Sequence, residues 1–175
     1  LLEGDGEQSK LQRLQGLGFT AEQLLKVLSH GGGSKNLAAL VGLLAGDGEQ
    51  SKLKRLEGFG FSADDLIKVL SNIGGSKNLE ALLGLLESDG EQSKMQRLQG
   101  FGFTAEQLCK VLSHDGGSKN IKSLYNLLQH HHLLEVFFKS HHQEIFVLSS
   151  RKARSSHIDL LSRIFDDKAC KDYLI

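Results

Sequence analysis

Apolar residues along this chain recur at helical spacing, and they do so in three nearly identical blocks. In segment 20–29, TAEQLLKVLS, the side chains of Leu24, Val27 and Leu28 fall on one helical face. In segment 34–44, SKNLAALVGLL, the side chains of Leu37, Leu40, Val41 and Leu44 do the same. A shorter segment, EQSKLQRLQG, opens after an Asp-Gly pair and closes near Gly18. Thr20 followed by Glu22 and Gln23 is a helix start, with acid in the first turn. Ser34, after the glycines, is the expected N-cap of the third helix. Nothing shows the strict alternation of a strand, so the pattern predicts an all-α chain.

The blocks are copies of one unit. DGEQSK occurs at Asp5, Asp47 and Asp89, and GGSKN at Gly32, Gly74 and Gly116, in both cases 42 residues apart. Three units follow, 1–42, 43–84 and 85–126, and 25 of their 42 positions are identical in all three. One such unit cannot bury its apolar faces alone, so the period predicts an α-solenoid of three tandem repeats. Leu1 matches Leu43 and Leu85, which lie in mid-pattern, so further units are expected upstream. Residues 127–175 leave the pattern. Their helix-like segments HHLLEVFF and HIDLLSRIF predict a helical C-terminal capping region.

The turn between the second and third helices carries the candidate chemistry. Its flanks, KVLS and GGSKN, are constant, while the two residues between them change: His30-Gly31, Asn72-Ile73 and His114-Asp115. A constant frame presenting a variable pair is the minimum that a modular reader needs. The glycines Gly32, Gly33, Gly74, Gly75, Gly116 and Gly117 are expected to let backbone approach a ligand closely. They open a helix whose free N–H groups suit phosphate. Lys35, Lys77 and Lys119 stand in that first turn, where a cation is poor for helix stability unless it faces an anion.

These motifs resemble the repeats of transcription activator-like (TAL) effectors. In that family a helix pair flanks a variable dipeptide followed by Gly-Gly, and His-Gly, Asn-Ile and His-Asp are dipeptides it uses. The FTAEQLxKVLS helix is similar as well. The resemblance covers about half of each unit; the family's unit is shorter and contains a Pro, whereas this chain has none. It implies a right-handed superhelix that reads one base of double-stranded DNA per repeat in the major groove. His30, Asn72 and His114 would turn back to the carbonyls of Lys26, Lys68 and Lys110, stabilising the loop. Gly31, Ile73 and Asp115 would face thymine, adenine and cytosine, Asp115 accepting from the cytosine amino group. The glycine pairs and the three lysines would contact phosphate. The resemblance further implies a part in transcription regulation, as a bacterial effector that could reach a host nucleus.

Composition alters this picture in one respect. Formal net charge is zero, from 21 basic and 21 acidic residues, so no bulk field draws the chain to nucleic acid. Neutrality keeps open a rival reading, a helical scaffold for protein partners, and a third, binding of RNA or of DNA without sequence choice. Cys109 and Cys170 have no zinc spacing and are expected to be reduced thiols of an intracellular protein; Cys109 matches Leu25 and Ile67 and is expected in the core. His130, His131, His132, His141 and His142 do not share one helical face, so no metal is expected, nor any other cofactor. Arg151, Lys152 and Arg154 form a small basic cluster. No nucleophile–base arrangement appears, so neither catalysis nor a small-molecule substrate is expected. No run of 18 apolar residues occurs, and a monomer without membrane contact is expected.

Overall fold

Three short helices form in each sequence unit, for the same local reasons each time. The computed structural model describes residues 10–44, 51–72, 74–90, 92–114, 116–130, 135–150 and 155–166. The first helices are α1 (Lys10–Gly16), α4 (Lys52–Gly58) and α7 (Lys94–Gly100). Each ends in a left-handed glycine, Gly18, Gly60 or Gly102, with φ of 87°, 88° and 95°. The amides of Phe19, Phe61 and Phe103 then donate back to Leu14, Leu56 and Leu98, which closes a Schellman turn and sends each ring into the core.

The second helices are α2 (Ala21–Ser29), α5 (Ala63–Leu70) and α8 (Ala105–Leu112). All three begin with a capping box: Thr20 with Gln23, Ser62 with Asp65, and Thr104 with Gln107. Burial alone would raise the Asp65 carboxyl. Hydrogen bonds from Ser62 and Lys68 outweigh it and hold the group below the usual carboxylate range.

The third helices are α3 (Gly33–Gly42), α6 (Gly75–Gly84) and the longer α9 (Gly117–His130). Their expected serine cap does not form. The N-cap residues are Gly32 and Gly74 in left-handed conformation, and Ser34 and Ser76 lie one turn-position inside the helix. The guanidinium groups of Arg13 and Arg55 cap the far ends, donating to the carbonyls of Leu44 (3.1 Å) and Leu86 (2.5 Å).

One departure from the all-helical expectation is a two-residue hairpin, β1 (Ser88–Asp89) paired antiparallel with β2 (Gln92–Ser93). It forms around Gly90, whose φ of 76° suits a tight turn after Asp89. The Asp-Gly pairs at Asp5 and Asp47 lie outside the described residues.

The helices pack in two rows along the chain. Helix α2 lies against α5 and α5 against α8; α3 lies against α6 and α6 against α9. The core repeats with the sequence: Leu24, Leu66 and Leu108 are buried, as are Val27, Val69 and Val111. Three more helices follow, α10 (Glu135–Ser140), α11 (His142–Ser149) and α12 (Ser155–Asp166). Helix α12 packs along α9. Phe138 is fully buried and meets Phe101 and Phe165 edge-on, at centroid distances of 6.1 and 5.6 Å.

Helix α11 takes beside α8 the place that α5 takes beside α2. The Gln23 amide donates to Asp64, the second residue of α5, and the Gln107 amide donates to Gln143, the second residue of α11. Asn36 donates to the last carbonyl of α5, at Leu70, and Asn120 to the last carbonyl of α11, at Ser149. The tail thus repeats the contacts of a unit without repeating its sequence.

Two predictions follow from burial. Ile67 is 3% exposed and Leu25, at the same repeat position, 66%. Ile67→Ala should therefore cost about 2–4 kcal/mol in chemical denaturation, and Leu25→Ala less than about 0.5 kcal/mol. Cys109 is buried too, its Sγ directed at the Asp65 carbonyl at 3.1 Å. Burial, with the Asp65 charge adding to it, pushes the thiol up to about 12 from 9.0. Its share of stability is intact below pH 9 and declines as pH rises towards 12, because the unfolded thiol ionises first. Alkylation at pH 8 should leave Cys109 unmodified until the chain is unfolded, as read by mass spectrometry of the Cys109 peptide.

Candidate nucleic-acid interface

The tips between the second and third helices are built by one recurring turn. The amides of Gly33, Gly75 and Gly117 donate to the carbonyls of His30, Asn72 and His114 at 2.8, 2.9 and 2.9 Å. Gly32, Gly74 and Gly116 adopt φ of 85°, 80° and 82°, a conformation that disfavours any side chain. The second glycine of each pair is required for a different reason. A Cβ on Gly33, Gly75 or Gly117 would overlap the carbonyl group of Leu28, Leu70 or Leu112, where the third helix crosses the end of the second.

The expectation that the glycine pair frees backbone for a ligand is therefore corrected for the second glycine of each pair alone. Gly33, Gly75 and Gly117 are buried, and their amides are already bonded. Among the glycines, Gly31, Gly32 and Gly74 are exposed and Gly116 half-buried.

The first variable residue bends back onto the preceding helix in two units. The His30 ring places Nδ1 2.7 Å from the Lys26 carbonyl, and the Asn72 amide donates to the Lys68 carbonyl at 2.6 Å. These carbonyls belong to the last helical turn, which has no internal partners for them. The His114 side chain makes no such bond to Lys110 among the described residues; the hydroxyl of Ser113 instead donates to the Cys109 carbonyl at 2.6 Å. Of the second variable residues, Gly31 is exposed at its tip, while Ile73 and Asp115 lie outside the described residues.

Lys35, Lys77 and Lys119 are exposed on the first turns of α3, α6 and α9. None has an ion-pair partner among the described residues, whereas Lys68 pairs with Asp65 and Lys110 with Glu106. Lys35, Lys77 and Lys119 thus each bring to a tip a positive charge without an ion-pair partner among the described residues. The basic cluster Arg151, Lys152 and Arg154 lies outside the described residues.

The residues that tie one tip to the next are asparagines, and sequence reasoning passed over them. Asn36 is 2% exposed. Its Nδ2 donates to the Leu70 carbonyl at 2.9 Å, and its Oδ1 accepts the Ser76 amide at 2.9 Å. Asn78 makes a related clasp on unit three, accepting from Ser118 at 2.9 Å but donating to the His114 carbonyl at 3.3 Å, two residues beyond Leu112, the counterpart of Leu70. Each asparagine thus caps the third helix of the following unit, in place of the serine expected to do so locally. The signal was present: an Asn unchanged in all three units, at positions 36, 78 and 120, within an otherwise apolar helix face.

Among the described residues no helix is long and apolar enough to cross a membrane, and no group of His, Cys, Asp and Glu could hold a metal. The side chain of His130 and the whole of His131 and His132 lie outside the described residues. His142 is engaged with the Lys139 carbonyl at 2.9 Å. A cavity of about 460 Å³ lies between α6, α7 and α9, with Lys94, Ile121, Lys122 and Tyr125 in its wall. Its wall also includes Ser118, at the start of α9 beside the third tip. No family model matches the chain, and no curated protein does.

The clasp generates a prediction. Asn36→Ala leaves the Leu70 carbonyl and the Ser76 amide without partners in a buried site, and should cost about 2–4 kcal/mol. Hydrogen exchange of the Ser76 amide should accelerate in that variant while that of Ser118 does not. Unchanged stability would show that the clasp contributes nothing.

Proposed function

We propose that the chain is a DNA reader: a right-handed α-solenoid of three tandem units and a cap, binding duplex DNA through one variable pair per unit. The observation that carries this reading is the constant frame around a changing pair. Twenty-five positions of each unit are fixed, yet the pair at the tip is different in each unit, through its second residue in all three and its first residue in unit two. The clasp, the glycine pair and the capping boxes all serve that frame, and none of them uses the variable residues' own chemistry, apart from the Asn78 bond to the His114 backbone.

In this reading Gly31, Ile73 and Asp115 face successive bases, T, A and C. Gly31 has no side chain and leaves room for the thymine methyl group. Ile73 offers only apolar contact. Asp115 accepts a hydrogen bond from the cytosine amino group, a contact unavailable from the other bases' equivalent positions except the adenine amino group. His30 and Asn72 stiffen their tips through the carbonyls of Lys26 and Lys68, which lowers the entropy lost on binding. Lys35, Lys77 and Lys119 meet phosphates. With about three such contacts, log affinity should fall with log salt at a slope near −2.7. Neutral net charge then places most of the selectivity burden on fit at the tips.

NMR titration of the chain with a duplex carrying T-A-C, and with a scrambled duplex, tests this at two salt levels. The expected result is tighter binding to T-A-C, with shifts concentrated at residues 30–35, 72–77 and 114–119. Equal binding to both duplexes would remove the code. Binding to neither would favour the scaffold reading. Asp115→Gly should cost about 1–3 kcal/mol of preference at the cytosine position and leave the other two unchanged.

A further inference from the structure

The first unit exposes a surface that the later units bury. Leu25 and Leu28 of α2 are 66% and 43% exposed. Their counterparts are covered: Ile67 is 3% and Leu70 0% exposed, Cys109 2% and Leu112 0%. These positions face the preceding unit, as the contact of Cys109 with the α5 carbonyl of Asp65 shows. The polar counterparts are open as well. The Leu70 carbonyl and the Ser76 amide hold the two ends of the Asn36 carboxamide. Among the described residues, the equivalent Leu28 carbonyl and Ser34 amide have no partner.

We propose that this face of α2 and the start of α3 form a docking site for a further unit of the same 42-residue kind. That unit's third helix would supply an asparagine at the repeat position of Asn36. The surface is continuous in kind with the two internal interfaces, and it offers the same elements in the same places. Two leucines await an apolar face, and one acceptor and one donor await a carboxamide. A second copy of this chain does not fit the requirement. Asn36, Asn78 and Asn120 already hold Leu70, His114 and Ser149. Helix α12, the last among the described residues, carries an exposed His157 on its first turn and no asparagine. The proposal stands independently of DNA reading.

Amide hydrogen exchange tests it, using the full chain and the full chain extended by a copy of residues 43–84 fused ahead of Leu1. In the present chain Ser34 should exchange freely while Ser76 and Ser118 are protected, which also reports that the molecule is folded. In the extended chain Ser34 should slow by at least about tenfold, to the level of Ser76. Asn78→Ala in the added copy should abolish that slowing. Leu25→Ala, neutral in the present chain, should lower the thermal midpoint of the extended one. Ser34 exchange unchanged by the extension would overturn the proposal. So would protection of Ser34 in the present chain, whether constant or rising with protein concentration, since another segment or a second copy would then occupy the face.

Discussion

The structure depends on a buried carboxamide bridging consecutive units. An asparagine side chain carries one acceptor and two donors, and burying it unpaired is costly. Asn36 meets that demand with the Leu70 carbonyl and the Ser76 amide, both from the following unit. Apolar contact between helices is tolerant of sliding, because area matters more than registry. A bidentate polar contact is not tolerant: a shift of one residue leaves two or three buried groups unpaired. The clasp therefore fixes where each tip sits relative to the last, which leucine packing alone leaves loosely specified.

The glycine pair follows from the same constraint. For the Asn36 oxygen to reach the Ser76 amide, the start of α6 must lie close to the end of α5. Gly75 permits that approach, since a Cβ there would collide with the Leu70 carbonyl, the same carbonyl the clasp uses. Gly74 supplies the left-handed turn between them. These residues, with the asparagine, form one device that positions the tip. This arrangement accounts for the constancy of GGSKN and the freedom of the two residues before it. Among the described residues, the side-chain bonds of His30 and Asn72 are exposed ones, whereas those of Asn36 in the frame are buried or partly buried.

Much of this was legible in the sequence, because each unit states its local signals three times. The Thr20 capping box, the Gly18 turn and the apolar face of α2 all rest on short-range rules, and the helices appear where those rules put them. The reach of His30 and Asn72 to Lys26 and Lys68 is also local, four residues back along a helix. Ser34 was misleading because its local sequence looks like a cap. The cap that forms at the equivalent Ser76 arrives from a residue 40 positions away, and no window-based rule detects it. The tail was legible only as helices. Its contacts through Gln143 and Ser149 copy those of Asp64 and Leu70 without copying their identity, so no sequence period could reveal them.

Under the proposed DNA-reading function, zero net charge bears on how the tips would discriminate. A strongly basic chain binds any duplex through counterion release, and base contacts then add a small increment to a large nonselective term. A neutral chain would have little nonselective term to exceed. In the proposed reading, selectivity would depend on tips held stiffly enough that a wrong base leaves Asp115 unpaired or Ile73 misplaced. Stiffness at the tip is what the back-bonds of His30 and Asn72 supply within a unit, and what the asparagine clasp supplies between units. If the chain reads DNA as proposed, weak electrostatics and a rigid frame would serve one end, raising the specificity ratio by limiting background affinity.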